Sequence, residues 1–456
     1  MSNILCIGAG YVGGPTMAMI AKNCPEHKIT VVDINQERID CWNSDDLPIY
    51  EPGLLDVVRL ARGRNLFFQT DVAQAIIDAE IIFVSVNTPT KMFGEGAGKA
   101  ADLQFWEKTA RDILDNCRKP NVIVVEKSTL PVRTAEAMAK IFQLGKSSTK
   151  FSVVSNPEFL AEGTAIEDLT NPDRVLIGGE QNEIGRKAAE TVAELYAHWV
   201  PRENILLTNV WSSELSKLVA NAMLAQRVSS INSISALCER TEADIEEVSK
   251  AIGMDTRIGA KFLEASIGFG GSCFSKDILH LSYLCEYYGL QEVADYWASV
   301  VHINEWQIDR FFQKILHEQF DTLAGKTITM LGFAFKQDTG DTRDSPAIQL
   351  CKKLLGEHAK VRIHDPKALE NARIDLKEMQ GDVSFEEDVY KALEGAHVLA
   401  LVTQWAEYRE LDFERIYNKM VKPAFVFDGR NHLEHEKLFE IGFNVFPLGK
   451  APLKQV

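Results

Sequence analysis

The chain has 456 residues, 46% of them hydrophobic and 25% charged, an ordinary globular composition whose length suggests about three domains. A formal net charge of −16, from 49 basic and 65 acidic residues, argues against a nucleic-acid or acidic-membrane partner, so any anionic substrate must be met by a few locally placed Lys and Arg. The longest apolar runs are strand-sized, the start MSNILCIGAGYVGG has no signal-peptide pattern, and the eight cysteines are scattered without a Cys-x-x-Cys pair or zinc spacing. No membrane partner and no metal are expected, and a cytoplasmic protein with reduced thiols fits best.

Residues 3–7, NILCI, read as a short buried strand. Gly8-Ala9-Gly10-Tyr11-Val12-Gly13 follows at once, then a helix to about Lys22 and a second strand, Ile29–Val32, ending in Asp33. Strand, G-x-G-x-x-G, helix, strand and acid form the full context of a dinucleotide-binding unit. The first glycine makes the turn, the second admits the pyrophosphate and the third lets helix and strand pack. Asp33 is expected on the ribose 2′-hydroxyl, favouring NAD over NADP. Arg38 is placed to reach the adenosine phosphates.

Further β-α units follow, and ligands of open α/β sheets bind at the carboxyl ends of strands. One strand runs Ile81 to Val86 and ends in Asn87-Thr88-Pro89-Thr90. Another, Val122–Val125, leads through Glu126 and Lys127 to Ser128, Thr129 and Leu130. A third, Phe151–Val154, leads into NPEFLAEG (156–163). That last stretch reads as a helix start, with Asn156 as N-cap and Pro157 at the first position. Glu158 and Glu162 would then share a face, as acid-base residues or as solvated glutamates.

From Trp211 to about His317 apolar residues recur at helical spacing. In WSSELSKLVANAML, Leu215, Leu218, Val219, Ala222 and Met223 form one stripe, with Lys217 and Asn221 on the opposite side. The stretch Ser266–Asp277, SIGFGGSCFSKD, puts Cys273 behind a Gly270-Gly271 turn. Ser272 is the expected N-cap of a helix over 274–287, with Cys273 at its first position. The helix end and Lys276 would favour the thiolate, and Asp277 shares its face. A thiol and a carboxylate over a glycine-built hollow suggest nucleophilic catalysis. The last third again alternates strands and helices, without a G-x-G-x-x-G, and so reads as a Rossmann relative binding something other than a second dinucleotide. Lys336, Arg343 and Arg430 all follow strands there, where anionic phosphate would be met.

With these pieces in order, the chain resembles the animal and plant branch of the UDP-glucose/GDP-mannose dehydrogenase family over nearly its whole length. The resemblance rests on GAGYVGGPT (8–16), LPIYEPGL (47–54), SVNTPT (85–90), EKSTLPVR (126–133), NPEFLAEGTAI (156–166), NPDRVLIGG (171–179), WSSELSKL (211–218), FGGSCFSKD (269–277), GFAFKQDTGDTRDS (332–345) and FDGR (427–430). It implies an α/β fold of two Rossmann-like, doubly wound parallel-sheet domains joined by a central helical dimerisation region, divided as 1–210, 211–322 and 323–456. It implies a four-electron oxidation of UDP-glucose to UDP-glucuronate with two NAD, through a thioester on Cys273.

By the same resemblance, Lys217 stabilises the oxyanion, Asp277 and Thr129 manage a proton or water, and Glu158 promotes thioester hydrolysis. NAD would be held by Gly8 to Gly13, Asp33, Arg38, Val86 to Thr90, Ser128 to Leu130, Glu162 and Arg343. The UDP-sugar would touch Glu158 to Glu162, including Phe159, Leu160 and Ala161, then Lys217 and Asn221. Ile267, Gly268, Phe269, Gly270, Phe335, Lys336 and Arg430 complete its set. Arg257 would reach in from a neighbouring subunit of a homo-oligomer, with dimers assembled into hexamers. Glu264 stands where relatives often carry Lys or Asn, which leaves fine sugar contacts open, and Ser275 replaces a common glutamine. A two-electron alcohol dehydrogenase, a dehydrogenase of GDP-mannose or UDP-N-acetylmannosamine, and a silent NAD-binding scaffold are the alternatives.

Overall fold

The computed structural model describes residues 2–145 and 147–455, in two compact units, Met1–Ala220 and Asn221–Val456. The first holds eight strands: β1 (Asn3–Ile7), β2 (Lys28–Val32), β3 (Leu66–Gln69), β4 (Ile81–Val84), β5 (Asn121–Glu126), β6 (Lys150–Ser155), β7 (Val175–Gly179) and β8 (Ile205–Asn209). They form one sheet in the order β3-β2-β1-β4-β5-β6-β7-β8, whose first six strands follow the dinucleotide-binding order 3-2-1-4-5-6. Pairing is parallel except where β6 meets β7 at Ser155 and Gly178. Strand alternation sends Ile4 and Cys6 to one face, against Met17, Ile20 and Trp42. Leu5 and Ile7 point to the other, against Ile82, Ile113 and Met138. A sheet covered by helices on both faces needs apolar residues at consecutive positions, which is why NILCI and IIFV carry no polar alternation.

The second unit carries β9 (Thr327–Leu331), β10 (Lys360–His364), β11 (Asp382–Phe385), β12 (Val398–Leu401), β13 (Phe425–Asp428) and β14 (Asn444–Pro447). Their order is β11-β10-β9-β12-β13-β14, all parallel. This is the same 3-2-1-4-5-6 arrangement. Before it come the helices Ile245–Gly253, Phe274–Tyr287 and Gln291–Glu318, and the division between the units falls within the helix Val210–Thr241. Among the described residues no helix is long and apolar enough to cross a membrane.

Three local expectations are corrected. The stretch 156–164 is not helical, and the helix there is Ala165–Thr170. Asn156 caps nothing: its amide donates to Leu176 O, and its Oδ1 accepts from Lys127 and Tyr196. Glu158 and Glu162 therefore share no helix face. In the long helix Val210–Thr241 the buried face is partly polar, carrying Ser213, Glu214, Lys217 and Asn221 beside Leu218, Ala222 and Ala225. Leu215 and Met223, expected inside, are exposed. Periodicity gives the stripe but not which face of a helix its neighbours cover. Finally, Cys273 is itself the N-cap of the helix Phe274–Tyr287, at φ −109° and ψ −51° with no side-chain cap bond. Ser272 lies one residue earlier, its Oγ 3.5 Å from the Cys273 sulfur.

Candidate functional site

In the first unit the three glycines of the turn after β1 have distinct surroundings. Gly8 sits at φ +108°, and a Cβ there would fall 2.2 Å from Ser85 O. A Cβ on Gly13 would fall 2.1 Å from Gly8 O. These two are glycine because the protein's own backbone fills the space. Around Gly10 a Cβ would meet nothing within 4 Å. That opening, at the start of the helix Gly13–Asn23, is the cradle a pyrophosphate needs. Tyr11 and Val12 complete the turn, with Val12 the helix N-cap.

Asp33, just after β2, accepts from Ala9 N at 3.0 Å and Asn35 N at 3.0 Å. Arg38 reaches the same carboxylate at 3.0 Å, so the expected ribose acid and phosphate arginine are one ion pair. The loops after β4 and β5 are stitched together: Thr88 donates its hydroxyl to Thr129 O at 3.1 Å, and Ser128 to Val86 O at 2.7 Å. Thr88 is buried and Asn87 exposed.

A second cluster of this unit centres on Glu158. Its Oε1 accepts from the backbone N–H of Phe159 and Leu160 at 2.8 and 3.1 Å. Its Oε2 lies 2.8 Å from the buried Lys127 ammonium. Burial pushes this carboxyl up, but Lys127, the Phe159 N–H and Lys217 outweigh it, and the pKa falls below the ordinary value. Burial likewise works against the Lys127 charge, and Glu158 and Tyr196 override it, leaving that pKa raised. Phe159 is flanked by two cations, Arg174 at 3.9 Å and Lys217 at 5.3 Å from the ring centroid. Arg174, from NPDR, was not singled out in the sequence.

Glu51, from LPIYEPGL, explains the order beyond Glu162: it is buried and accepts from Gly163 N and Ala165 N at 2.7 and 3.2 Å. The expected cofactor residue Leu130 is buried, and its loop is held by a group the sequence did not reveal. Glu214 accepts from Arg133 N and Ala135 N at 2.7 and 2.8 Å, capping the helix Thr134–Leu144. Beside it lies Glu126, 1% exposed, in contact with Glu214 and the Trp106 indole but completing no hydrogen bond of good geometry. Burial, then the charge of Glu214, pushes Glu126 well above its ordinary range, and burial lifts Glu214 to about 7. Two carboxyls in one dry site keep a shared proton.

In the second unit the segment 266–271 is mounted on three buried amides. Asn232 Oδ1 accepts from Ser266 N at 2.8 Å, Asn304 pairs with both the N–H and the C=O of Phe269, and Gln307 donates to Ser266 O at 2.8 Å. Ile267 N donates to Gly429 O at 2.7 Å, and Gly268 packs against Asn304 and Ile308. A Cβ on Gly270 would fall 2.6 Å from Asp344 O, while Gly271, at φ +86°, donates its N–H to Arg343 O at 2.8 Å. The turn is thus pressed against the loop after β9, and it presents Cys273 as an exposed thiol; of the other seven cysteines Cys41 is partly buried and the rest are buried. Asp277, one turn on, is fully buried, donates its backbone N–H to Cys273 O, and accepts from Asn221 Nδ2 at 2.6 Å. Lys276 lies 4.0 Å from it, so the lysine expected to assist the thiol faces the carboxylate. The next helical turn carries His280, buried and with neither ring nitrogen hydrogen-bonded among the described residues; burial, aided by Lys276, drives its pKa to about 3 and keeps it neutral.

The basic residues of this unit differ in kind. Arg430 donates to Val402 O and Phe335 O at 2.7 and 3.1 Å. Burial lowers its pKa to about 10 against Asp428 and Glu264, the residue at the departure from the family pattern. Its guanidinium is thus half-buried just after β13, held by two backbone carbonyls. Arg343 is bound to Asp341, and Lys336 lies over the Phe335 ring at 5.6 Å. Arg257 is 87% exposed and paired with Asp255 at 2.6 Å.

The chain belongs to the UDP-glucose/GDP-mannose dehydrogenase family. It matches that family's NAD binding domain over residues 2–200, its central domain over 211–306 and its UDP binding domain over 329–435. NAD is its cofactor, and the opening over Gly10 with Asp33 beyond it fits that group. Similar proteins include UDP-glucose 6-dehydrogenase 5 of Oryza sativa subsp. japonica, 56% identical over 468 aligned positions, covering 99% of this chain and 97% of the relative. UDP-glucose 6-dehydrogenase 1 of Arabidopsis thaliana is 55% identical with the same coverage. Among solved structures, a UDP-glucose dehydrogenase from Pyrobaculum islandicum aligns with a TM-score of 0.84 at 30% identity, over 97% of this chain and 98% of that one.

Proposed function

We propose that this chain oxidises the 6-hydroxyl of UDP-glucose to the carboxylate of UDP-glucuronate, using two NAD per sugar. The plant relatives' activity supports the substrate. The observation that carries the reaction type is the exposed Cys273 thiol on its braced glycine turn, one helical turn from the buried Asp277–Asn221 pair. When bound, NAD would supply the hydride acceptor for each half of the reaction.

The chain's own residues do the rest. The 6-hydroxyl first loses a proton and a hydride and becomes an aldehyde. The Cys273 sulfur adds to the aldehyde carbon, because only an sp3 adduct can lose a second hydride, and the adduct becomes a thioester. Water then cleaves the thioester, freeing the thiol and the carboxylate, so two hydrides leave and one water oxygen enters. Asp277 takes the proton or holds the water, with Thr129 in the same role. Lys217, buried on its helix, offers its ammonium to the oxyanion. Glu158 stays ionised through Lys127, which suits it to orienting water rather than donating a proton. We assign Arg430, Lys336 and Phe335 to the UDP group. Exposed Leu215, Met223, Ile234 and Leu237 on the helix Val210–Thr241 support dimerisation through the central region of a three-domain chain, with Arg257 serving a neighbouring subunit and dimers assembling into hexamers.

Limiting UDP-glucose is expected to yield two NADH per sugar. Cys273→Ser is expected to lose turnover by at least roughly 100-fold. One NADH per sugar, with Cys273→Ala active, would replace this reading with a two-electron alcohol dehydrogenase.

A further inference from the structure

The turn between the helix Gly13–Asn23 and β2 reads Cys24-Pro25-Glu26-His27, and nothing in the oxidation uses it. It is rigid for reasons on both sides. Cys24 N donates to Ile20 O at 2.8 Å, and His27 N to Cys24 O at 3.1 Å. Buried Asn65 gathers the carbonyls of Ala21, Cys24 and His27 with one amide, at 3.0, 3.4 and 3.2 Å. Against this turn stands the end of the helix Glu183–Tyr196, followed by His198. The sulfur of Cys24, an oxygen of Glu26 and a ring nitrogen of His198 all lie within 4.8 Å of one another.

Protonation follows from the partners. His198 Nδ1 lies 2.9 Å from Glu194 O and 3.2 Å from Leu195 O. Carbonyls only accept, so they assign a proton to Nδ1 and leave Nε2 of the neutral ring as a lone pair. That lone pair faces Glu26 Oε1 at 3.1 Å. Two acceptors at this distance need a cation between them or a second proton on the ring. A backbone carbonyl on Nδ1 with Nε2 free is also the usual support of a metal-bound histidine. His27 has the other tautomer: its Nδ1 accepts from Ser2 N at 3.0 Å, so Nε2–H donates to Glu26 Oε1, 3.3 Å away. His27 thus orients the carboxylate through its Nε2–H.

We propose that Cys24, Glu26 and His198 form a binding site for a zinc-class divalent cation, with His27 orienting Glu26 and water in the fourth position. Sulfur, imidazole and carboxylate on an open tetrahedron suit zinc, which binds such atoms at about 2.0–2.3 Å. Ligands around one ion at those lengths stand roughly 3.3–3.8 Å apart, so atoms within 4.8 Å of one another need only a small closure. Binding transfers the Cys24 proton to solvent as the thiolate takes the metal. The Cys24 thiol now donates to Leu195 O at 3.5 Å, and the metal must displace that proton. The bound ion would clamp the first crossover of the sheet to the helix Glu183–Tyr196. His198 lies far in sequence from Cys24 and Glu26, so no metal-site spacing could show the set.

The test is a Co2+ titration of the full chain carrying Cys273→Ser, which silences the exposed thiol. One equivalent is expected to give the near-ultraviolet thiolate-to-cobalt band and the visible bands of four-coordinate cobalt. Adding Cys24→Ser should abolish the thiolate band. His198→Gln, at a surface position that leaves the fold intact, should weaken binding at least tenfold, and Zn2+ should raise the melting temperature of the His198 form but not of the variant. No thiolate band, a band that survives Cys24→Ser, or His198→Gln binding as tightly as its parent would each overturn the proposal and leave Glu26 and His198 as a surface ion pair.

Discussion

β1 runs into Gly8 at φ +108°, and β9 runs into Gly332 at φ +91°; the strand beside each then ends in an aspartate, Asp33 after β2 and Asp365 after β10. Up to that point the two sheets are built alike. They part in what fills the turn. Beyond Gly8 comes Gly10 with open space above it, whereas beyond Gly332 come Phe333 and Ala334, both fully buried. Asp33 takes two backbone N–H groups and an arginine. Asp365 is saturated by Phe333 N, Ala334 N, Lys367 N, Ala368 N and the Trp405 indole. One scaffold thus gives a cofactor cradle where side chains are withheld, and a sealed turn where they are supplied. In the second sheet the arginine stands after β13 instead, where Arg430 donates to Val402 O and Phe335 O.

The comparison can be broken most forcefully at Asp365. Asp365→Ala leaves five donors without their acceptor in a dry site and is expected to cost more than about 3 kcal/mol, read as a large drop in denaturant midpoint. Asp33→Ala should leave the fold nearly intact. Its effect falls on the cofactor, with NAD affinity weakened roughly tenfold and discrimination against NADP relaxed, measured by binding titration. Equal effects of the two substitutions would mean that the aspartates are equivalent after all.

The glycines sharpen the contrast. Gly332→Ala puts a Cβ 2.3 Å from Thr403 Cβ at a left-handed φ and should destabilise by about 1–3 kcal/mol. Gly10→Ala meets no protein atom, so stability should hold within about 0.5 kcal/mol while NAD affinity falls at least roughly tenfold.

The smallest effect is one of pH. Glu126 and Glu214 both have folded pKa values above the ordinary 4.5, Glu214 at about 7. The folded state therefore keeps a proton that the unfolded chain releases above pH 4.5. Stability from this source is full below that pH and is lost as pH rises through about 7. Glu126→Gln keeps a donor toward Glu214 and removes one titration. It should flatten the fall in melting temperature between pH 6 and pH 8, and an unchanged slope would show that the pair does not share a proton.

The sequence alone determined the first cofactor turn, both α/β regions, the helical middle and the cysteine on its glycine turn, because each is a local pattern: apolar runs, glycine spacing, an acid after a strand. The LPIYEPGL and WSSELSKL motifs were visible, but the reach of Glu51 to Ala165 and of Glu214 to Arg133 was not. Those bonds join residues far apart in the chain, and only the folded backbone brings an acceptor to a donor. The non-helical course of 156–164 was decided in the same way. Lys127, Tyr196 and Leu176 claim Asn156, and two N–H groups wrap around Glu158, which outweighs the local preference for a cap. The polar buried face of the helix Val210–Thr241 also lay beyond any periodicity. Whether Lys217 or Leu215 turns inward depends on what stands opposite, and that is a property of tertiary structure.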